Sequence, residues 1–168
     1  MKAIVAMTDH GGMGYKGKLP DWNIPGDLER FKRLTEYRTL VMGSNTFFSL
    51  PESKRPLPKR NNIVITNKPD HPRFDAYRDR QNVWFTTLAD FLRDYKRTLH
   101  EIIVIGGAKL INSLYPYIYE MDVTIARESG IPCDVFFENI NDLLQWTVQC
   151  FEKDDYCVRM IFTRTVFV

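Results

Sequence analysis

The stretch Ile102-Ile103-Val104-Ile105-Gly106-Gly107 restricts the fold of this chain more than any other. An unbroken apolar run of this length, without polar alternation, marks a strand covered on both faces. The adjacent glycines allow close approach of backbone, and a helix begins at once with Ala108-Lys109-Leu110-Ile111. Ala3-Ile4-Val5-Ala6-Met7, Thr39-Leu40-Val41-Met42-Gly43 and Asn62-Ile63-Val64-Ile65-Thr66 have the same character, and Met121 to Ala126 adds another strand. Val83-Trp84-Phe85 is a short strand before an amphipathic helix from Thr87, and Asn67 to Asn82 reads as an irregular excursion. Trp146 to Phe151 and Tyr156 to Val168, joined through Glu152-Lys153-Asp154-Asp155, read as a hairpin. The pattern predicts one α/β domain over residues 1–168, with a mostly parallel central sheet of about eight strands and an antiparallel C-terminal edge hairpin. Ligands of such sheets sit at the carboxyl ends of the strands. The loops after Met7, Met42, Thr66 and Ile105 are therefore expected to line one cleft.

Charge narrows the partners. With 23 basic and 21 acidic side chains the formal net charge is +2, which gives no reason to expect nucleic acid or an anionic membrane. No apolar run approaches the ~18 residues of a membrane span. The run from Ala3 to Met7 is too short for a signal-peptide core, so a cytoplasmic protein is expected. His10, His71 and His100 match no metal-ligand spacing, and Cys133, Cys150 and Cys157 form no CxxC pair. No metal site and reduced thiols are expected, although Cys150 and Cys157 could face each other across the hairpin. No coiled-coil pattern is present, so the expected state is a monomer.

Gly12-Met13-Gly14-Tyr15-Lys16-Gly17 fits G-x-G-x-x-G, but that fingerprint needs its glycines to open a helix. Here Gly17 leads into Lys18-Leu19-Pro20-Asp21-Trp22, with a second proline at Pro25. Thr8 to Ile24 is instead a long glycine-rich loop, with glycines that permit hinge-like movement. Pro25 then suits a first helical turn, and Leu28, Phe31 and Leu34 recur at helical spacing. Asp27 stands at i−4 from Phe31, so a carboxylate is aimed at the apolar face. An acidic residue in a first turn also serves as an ordinary partner of orphan N–H groups, and spacing alone leaves both readings open. Gly43-Ser44-Asn45-Thr46 and Gly106-Gly107-Ala108-Lys109 each place a helix start directly after a strand, which suits an anion as well as plain capping. In the basic loop Pro51 to Asn61, an arginine beside an apolar residue can hold a carboxylate in a bidentate pair.

In order and spacing, several of these pieces closely resemble the dihydrofolate reductase family. They are Ile4-Val5-Ala6-Met7, Gly14, Leu19-Pro20, Trp22 to Leu28 with Phe31-Lys32, Val41-Met42-Gly43, Thr46-Phe47, Ser49-Leu50-Pro51, Arg55 to Ile63, and Val104-Ile105-Gly106-Gly107. The resemblance implies reduction of 7,8-dihydrofolate by NADPH, with hydride passing from nicotinamide C4 to pterin C6 and a proton to N5. It implies that Asp27 holds the pterin, with Trp22 and Thr124 positioning water and supporting the carboxylate. Val5, Ala6, Phe31, Leu50, Leu57 and Ile105 would form apolar walls, with Lys32 and Arg55 alongside. Arg60 would pair with the α-carboxylate of the glutamate tail. Met7, Gly43, Ser44, Asn45, Thr46, Thr66, Asn67, Lys68, Gly106, Gly107, Ala108, Lys109 and Leu110 would grip the cofactor. Met13, Gly14 and Leu19 belong to the loop expected to close over the nicotinamide, and a cis peptide is expected at Gly106-Gly107.

The chain departs from the family pattern in four places. Asp21 is inserted between Leu19-Pro20 and Trp22, and Ile111 replaces a tyrosine. Ser44 stands where a basic residue is usual and Asn67 lacks a charge, so NADH is a possible second cofactor. Two other readings remain: a pyrimidine reductase of flavin synthesis with the same fold, and a non-catalytic ligand-binding protein that kept it.

Overall fold

The computed structural model describes residues 1–128 and 130–165. In chain order the elements are β1 (Lys2–Thr8), β2 (Gly12–Gly14), α1 (Asp27–Thr35), β3 (Thr39–Gly43), α2 (Ser44–Ser49), β4 (Asn61–Ile65), β5 (Val83–Thr86), α3 (Leu88–Asp94), β6 (Ile102–Gly106), α4 (Ala108–Leu114), β7 (Glu120–Ala126), β8 (Val135–Phe136), α5 (Ile140–Leu143), β9 (Thr147–Lys153) and β10 (Cys157–Thr163). Eight strands form one sheet in the order β5-β4-β3-β6-β1-β7-β10-β9. Pairing is parallel from β5 through β7, then antiparallel to β10 and β9. This is the expected α/β sheet with its antiparallel edge.

The two faces of the sheet follow from side-chain alternation along each strand. Val5, Met7, Val41, Ile63, Val104 and Val123 pack on one face with Phe91 of α3 and Ile111 and Leu114 of α4. Leu40, Met42, Val64 and Ile103 pack on the other with Phe47 of α2, and Ile4, Phe31, Leu50 and Ile105 border that cluster. The parallel strands β1, β3, β4 and β6 all end toward one edge. Gly43 and Gly107 meet there, since a Cβ added to Gly43 would lie 3.8 Å from the Gly107 nitrogen.

Several local expectations are corrected. α1 begins at Asp27, because Pro25 and Gly26 form a turn in which Gly26 takes φ 77°, a conformation glycine adopts without strain. Its sheet-facing stripe is Asp27, Arg30, Phe31 and Leu34, with Thr35 fully buried, whereas Leu28 is 75% exposed. The Thr8-to-Ile24 segment is more ordered than a plain loop. β2 pairs with β8, and Phe137 and Asp134 donate backbone N–H groups to the Gly11 and Gly14 carbonyls at 2.8 and 2.9 Å. A six-residue 3-10 helix, Pro72–Tyr77, lies in the excursion read as irregular.

The C-terminal hairpin turns at Asp154, whose Oδ1 accepts from the Tyr156 and Cys157 N–H groups at 2.8 Å each. Register puts Cys150 opposite Ile161 and Cys157 opposite Ala126, so these thiols do not face each other and both are unpaired. The hairpin was expected to reach Val168. β10 ends at Thr163, and residues 166–168 lie outside the described residues.

Candidate active site

The carboxylate at the start of α1 does not cap its helix. Thr124 of β7 donates its hydroxyl to Asp27 Oδ1 at 3.1 Å, and the N-cap Gly26 has no side chain to offer. Thr124 is 3% exposed while Asp27 is half-buried. One carboxylate oxygen is thus fixed by the sheet, and among the described residues Oδ2 accepts no hydrogen bond. A half-buried carboxylate held in this way can accept a pair of N–H donors from a planar ligand.

One helical turn along the same stripe, Arg30 makes a bidentate pair with Asp122, Nη1 to Oδ1 and Nη2 to Oδ2 both at 2.7 Å. Asp122 and Thr124 alternate onto one face of β7, so the two contacts are adjacent. The fork hydrogen bonds to Asp122 raise the Arg30 pKa against partial desolvation, with added attraction from Asp122, Glu152 and Asp27. Sequence reading passed over Arg30 and Asp122. The signal was present in the i, i+3 spacing from Asp27 and the i−2 spacing from Thr124.

Of the expected apolar walls, Phe31, Leu50, Leu57 and Ile105 share the α1 face of the sheet. Ala6 alternates onto that same face. Val5 and Met7 do not: their side chains pack into the opposite core, so only their backbone can meet a ligand in the cleft. Leu110 likewise packs inside that opposite core, and Ala108 is buried. Ile111, at the position of the replaced tyrosine, is fully buried there too.

Arg60 is 6% exposed, yet all its hydrogen bonds go to neutral oxygens. Nε and Nη2 donate to Thr35 Oγ1 at 3.2 and 3.1 Å, Nη1 to the Pro58 carbonyl at 2.7 Å, and Nη2 to the Lys32 carbonyl at 3.1 Å. These bonds lock the guanidinium between the end of α1 and the basic loop. Among the described residues no acidic side chain pairs with Arg60, and a buried, oriented cation of this kind suits a ligand carboxylate. Arg55 is occupied otherwise. It donates to Tyr77 Oη at 2.7 Å and lies 5.0 Å from the Phe48 ring centroid, which makes it a brace for the loop. The Lys32 side chain is exposed, and its carbonyl supports Arg60.

The two strand-to-helix turns come together at the sheet edge. α2 and α4 start after Gly43 and Gly107 with no side-chain cap, so their first N–H groups remain available. Ser44, Asn45 and Thr46 form the first turn of α2 and do not cap it. The Gly106-Gly107 peptide is cis, as expected, and Arg55-Pro56 is cis as well. A Cβ on Gly107 would come within 3.2 Å of Thr46 Oγ1, so a side chain there would crowd the neighbouring turn. Two uncapped helix starts and a close backbone approach fit the phosphates of a dinucleotide. Lys109 is exposed beside them, and Thr66, Asn67 and Lys68 leave β4 at the same edge.

The loop in front of Asp27 carries Trp22, half-buried, and the inserted Asp21, which is exposed. Leu19 is also exposed, Met13 is half-buried, and Gly14 is buried against Val135 of β8. The Trp22 N–H donates to the Pro20 carbonyl at 3.0 Å, which fixes the step around the insertion. Among the described residues no cluster of His, Cys, Asp and Glu could hold a metal ion.

Comparison with known proteins places this arrangement. The family model described as dihydrofolate reductase matches residues 1–165. The dihydrofolate reductase of Aedes albopictus is 31% identical over 160 residues, covering 84% of this chain and 81% of that protein. That of Haemophilus influenzae is 31% identical over 156 residues, covering 91% and 85%. A dihydrofolate reductase from Enterococcus faecalis, solved with NADP(H) and RAB-propyl, superposes with a TM-score of 0.76 at 30% identity, covering 97% of this chain and 95% of that one.

Proposed function

This chain belongs to the dihydrofolate reductase family, and from that premise we propose a role for each residue of the cleft. The reaction is NADPH-dependent reduction of 7,8-dihydrofolate to tetrahydrofolate. NADPH, when bound, supplies a hydride from nicotinamide C4 to pterin C6, and a proton is consumed at N5. Asp27 accepts the pterin N3–H and 2-amino group as a paired set, with Thr124 holding Oδ1 in place. Trp22 positions water at the loop side of that carboxylate. Ala6, Phe31, Leu50, Leu57 and Ile105 exclude bulk water, which strengthens the charged contacts inside. Arg60 takes the α-carboxylate of the glutamate tail.

The N–H groups that begin α2 and α4 receive the cofactor phosphates. Gly106 and Gly107 let the backbone approach, and Thr66, Asn67 and Lys68 flank the adenosine end. Ser44 brings no positive charge to a 2′-phosphate, and the exposed Lys68 and Lys109 are the cations near that edge. Lateral closure falls to the segment carrying Met13, Gly14 and Leu19. The charge balance and unpaired cysteines support a cytoplasmic monomer, and no helix among the described residues is long and apolar enough to cross a membrane.

The observation that carries the reading is the Asp27–Thr124 contact on the same sheet face as the locked Arg60. A pyrimidine reductase of this fold has no use for a buried clamp aimed at a glutamate tail. The test follows NADPH absorbance with dihydrofolate, with NADH in parallel and Asp27→Asn as control. The variant should lose about 10²- to 10⁴-fold in kcat/KM, as expected when two hydrogen bonds to a charged group, worth about 1.5–3 kcal/mol each, are weakened together. No dihydrofolate-dependent oxidation by the wild type, or full activity in the variant, overturns the proposal.

A further inference from the structure

The Arg30–Asp122 pair lies one helical turn along α1 from Asp27 and two residues along β7 from Thr124, and the reading above gives it no task. The pair is well built: both bonds measure 2.7 Å, and the side chains are only 17% and 10% exposed. A buried ion pair of this kind is weak evidence for stability, because desolvation offsets much of the attraction. Its position is more informative. Arg30 occupies the same helical stripe as Asp27, and Asp122 the same strand face as Thr124. One side of the pair faces Asp27 along the helix and the other faces it along the strand.

We propose that Arg30 and Asp122 are positioning residues that set the pH range over which the Asp27 site keeps its proton. The inference rests on the reading of Asp27 as the pterin-holding carboxylate. Arg30 opposes protonation at the site and Asp122 favours it. The bidentate bond holds the two influences in fixed proportion. Attraction between Arg30 and Asp27 is among the effects that raise the Arg30 pKa, after its bonds to Asp122.

Other charged and titratable groups face Asp27 from each packed element. From β10 come Arg159, in register with Thr124, and Cys157, in register with Ala126. Burial pushes the Cys157 thiol up and keeps it neutral. Arg159 is already held by Asp154 Oδ2 at 2.9 Å. From β9 comes Glu152, opposite Arg159. Arg159 also pairs with Asp154, although its buried Nε has no partner among the described residues. On α1 itself Glu29, Lys32 and Arg33 are exposed, so Arg30 is the other half-buried charge on the helix that carries Asp27.

The test is the pH profile of kcat/KM for dihydrofolate reduction in the full chain. The reaction consumes a proton, so the rate falls toward high pH, and the position of that fall reports the acid of the site. Arg30→Met removes the cation and leaves Asp122, so the fall should move up by about half to one pH unit, as expected for a charge at this range. Asp122→Asn should move it down by a comparable amount. Arg30→Lys keeps the charge and should hold the profile near wild type even if activity drops.

A pair that only braced α1 against β7 would lower activity in both variants without opposite displacements. Displacements of the same sign, or none, overturn the inference while leaving dihydrofolate reduction and the Asp27→Asn effect intact. Leaving Asp122 unpaired is costly, so Arg30→Met could unfold the chain. A carboxyl NMR titration of Asp27 in wild type, Asp122→Asn and Arg30→Lys reads the same shifts without turnover. An Asp122→Asn titration that does not move down sinks the inference independently.

Discussion

Thr124 Oγ1 donates to Asp27 Oδ1 at 3.1 Å, across a sequence separation of 97 residues. That bond ties the first residue of α1 to the middle of β7. It converts a carboxylate that could have capped its own helix into one fixed by the sheet. The parallel pairing of β1 with β7 puts Ala6 in register with Thr124, so the apolar wall and the supporting hydroxyl arrive at the same level of the cleft.

Replacing Thr124 by valine keeps the shape of a buried side chain and deletes one hydroxyl. Hydrogen bonds to charged groups contribute about 1.5–3 kcal/mol, so kcat/KM for dihydrofolate should fall about 10- to 150-fold. The melting temperature should fall by several degrees as well, because the bond is already made in the free protein. Thr124→Ser should restore most of the rate and of the stability. Steady-state kinetics check this, and an unchanged kcat/KM would remove Thr124 from the site.

The parallel strands were legible because each is an unbroken apolar run, and a strand buried on both faces has few alternative readings. The turns after Met42 and Ile105 were legible for a related reason, since glycines between a strand and a helix admit few geometries. β8 was not legible. Val135-Phe136 is too short to show a period, and its partner β2 lies more than a hundred residues earlier, so only the fold brings them together. α1 was half legible: its spacing revealed Asp27, but the apolar template claimed Leu28 and passed over Arg30. A cation counts against burial in any such template unless its partner, here Asp122, is known. The register of Cys150 and Cys157 depends on the Asp154 turn and a bulge between Ile161 and Phe162, neither of which periodicity can show.

The Asp154 turn should carry an acid-sensitive share of stability. Backbone N–H groups of Cys157 and Tyr156, then Arg159, hold the Asp154 carboxyl down at about 2. An unfolded aspartate titrates near 3.9, so the stabilisation is fully present above that value. It is lost as pH falls from about 4 to about 2. Asp154→Asn should therefore be less stable than wild type at pH 6, and the gap should close by pH 2. Urea unfolding at a series of pH values measures it, and a gap independent of pH would reject this account of the turn.

Gly12 holds β2 close to the segment before β8. A Cβ there would collide with Cys133 Sγ and lie 2.9 Å from Thr8 Oγ1, so something must move. Overpacking of this kind costs about 1–3 kcal/mol. Gly12→Ala should lower the melting temperature by several degrees, and it should perturb KM for NADPH if the loop beyond β2 closes on the cofactor. A thermal melt identical to wild type would show that β2 and β8 separate freely.

Arg60 offers the cleanest separation of binding from chemistry. Its guanidinium is fixed by Thr35, Pro58 and Lys32 before any ligand arrives, so little side-chain entropy is lost on pairing with a carboxylate. Arg60→Leu should raise KM for dihydrofolate about 10- to 100-fold while leaving kcat within a few-fold, because the contact is made equally in the ground and transition states. Arg60→Lys should recover only part of the loss, since an ammonium cannot reproduce the planar fork. A dihydropterin without the glutamate tail provides the internal control: its KM should be the same in wild type and in both variants. If KM for the tailless substrate rises in step with that for dihydrofolate, Arg60 acts by bracing α1 against the basic loop and not as the carboxylate clamp.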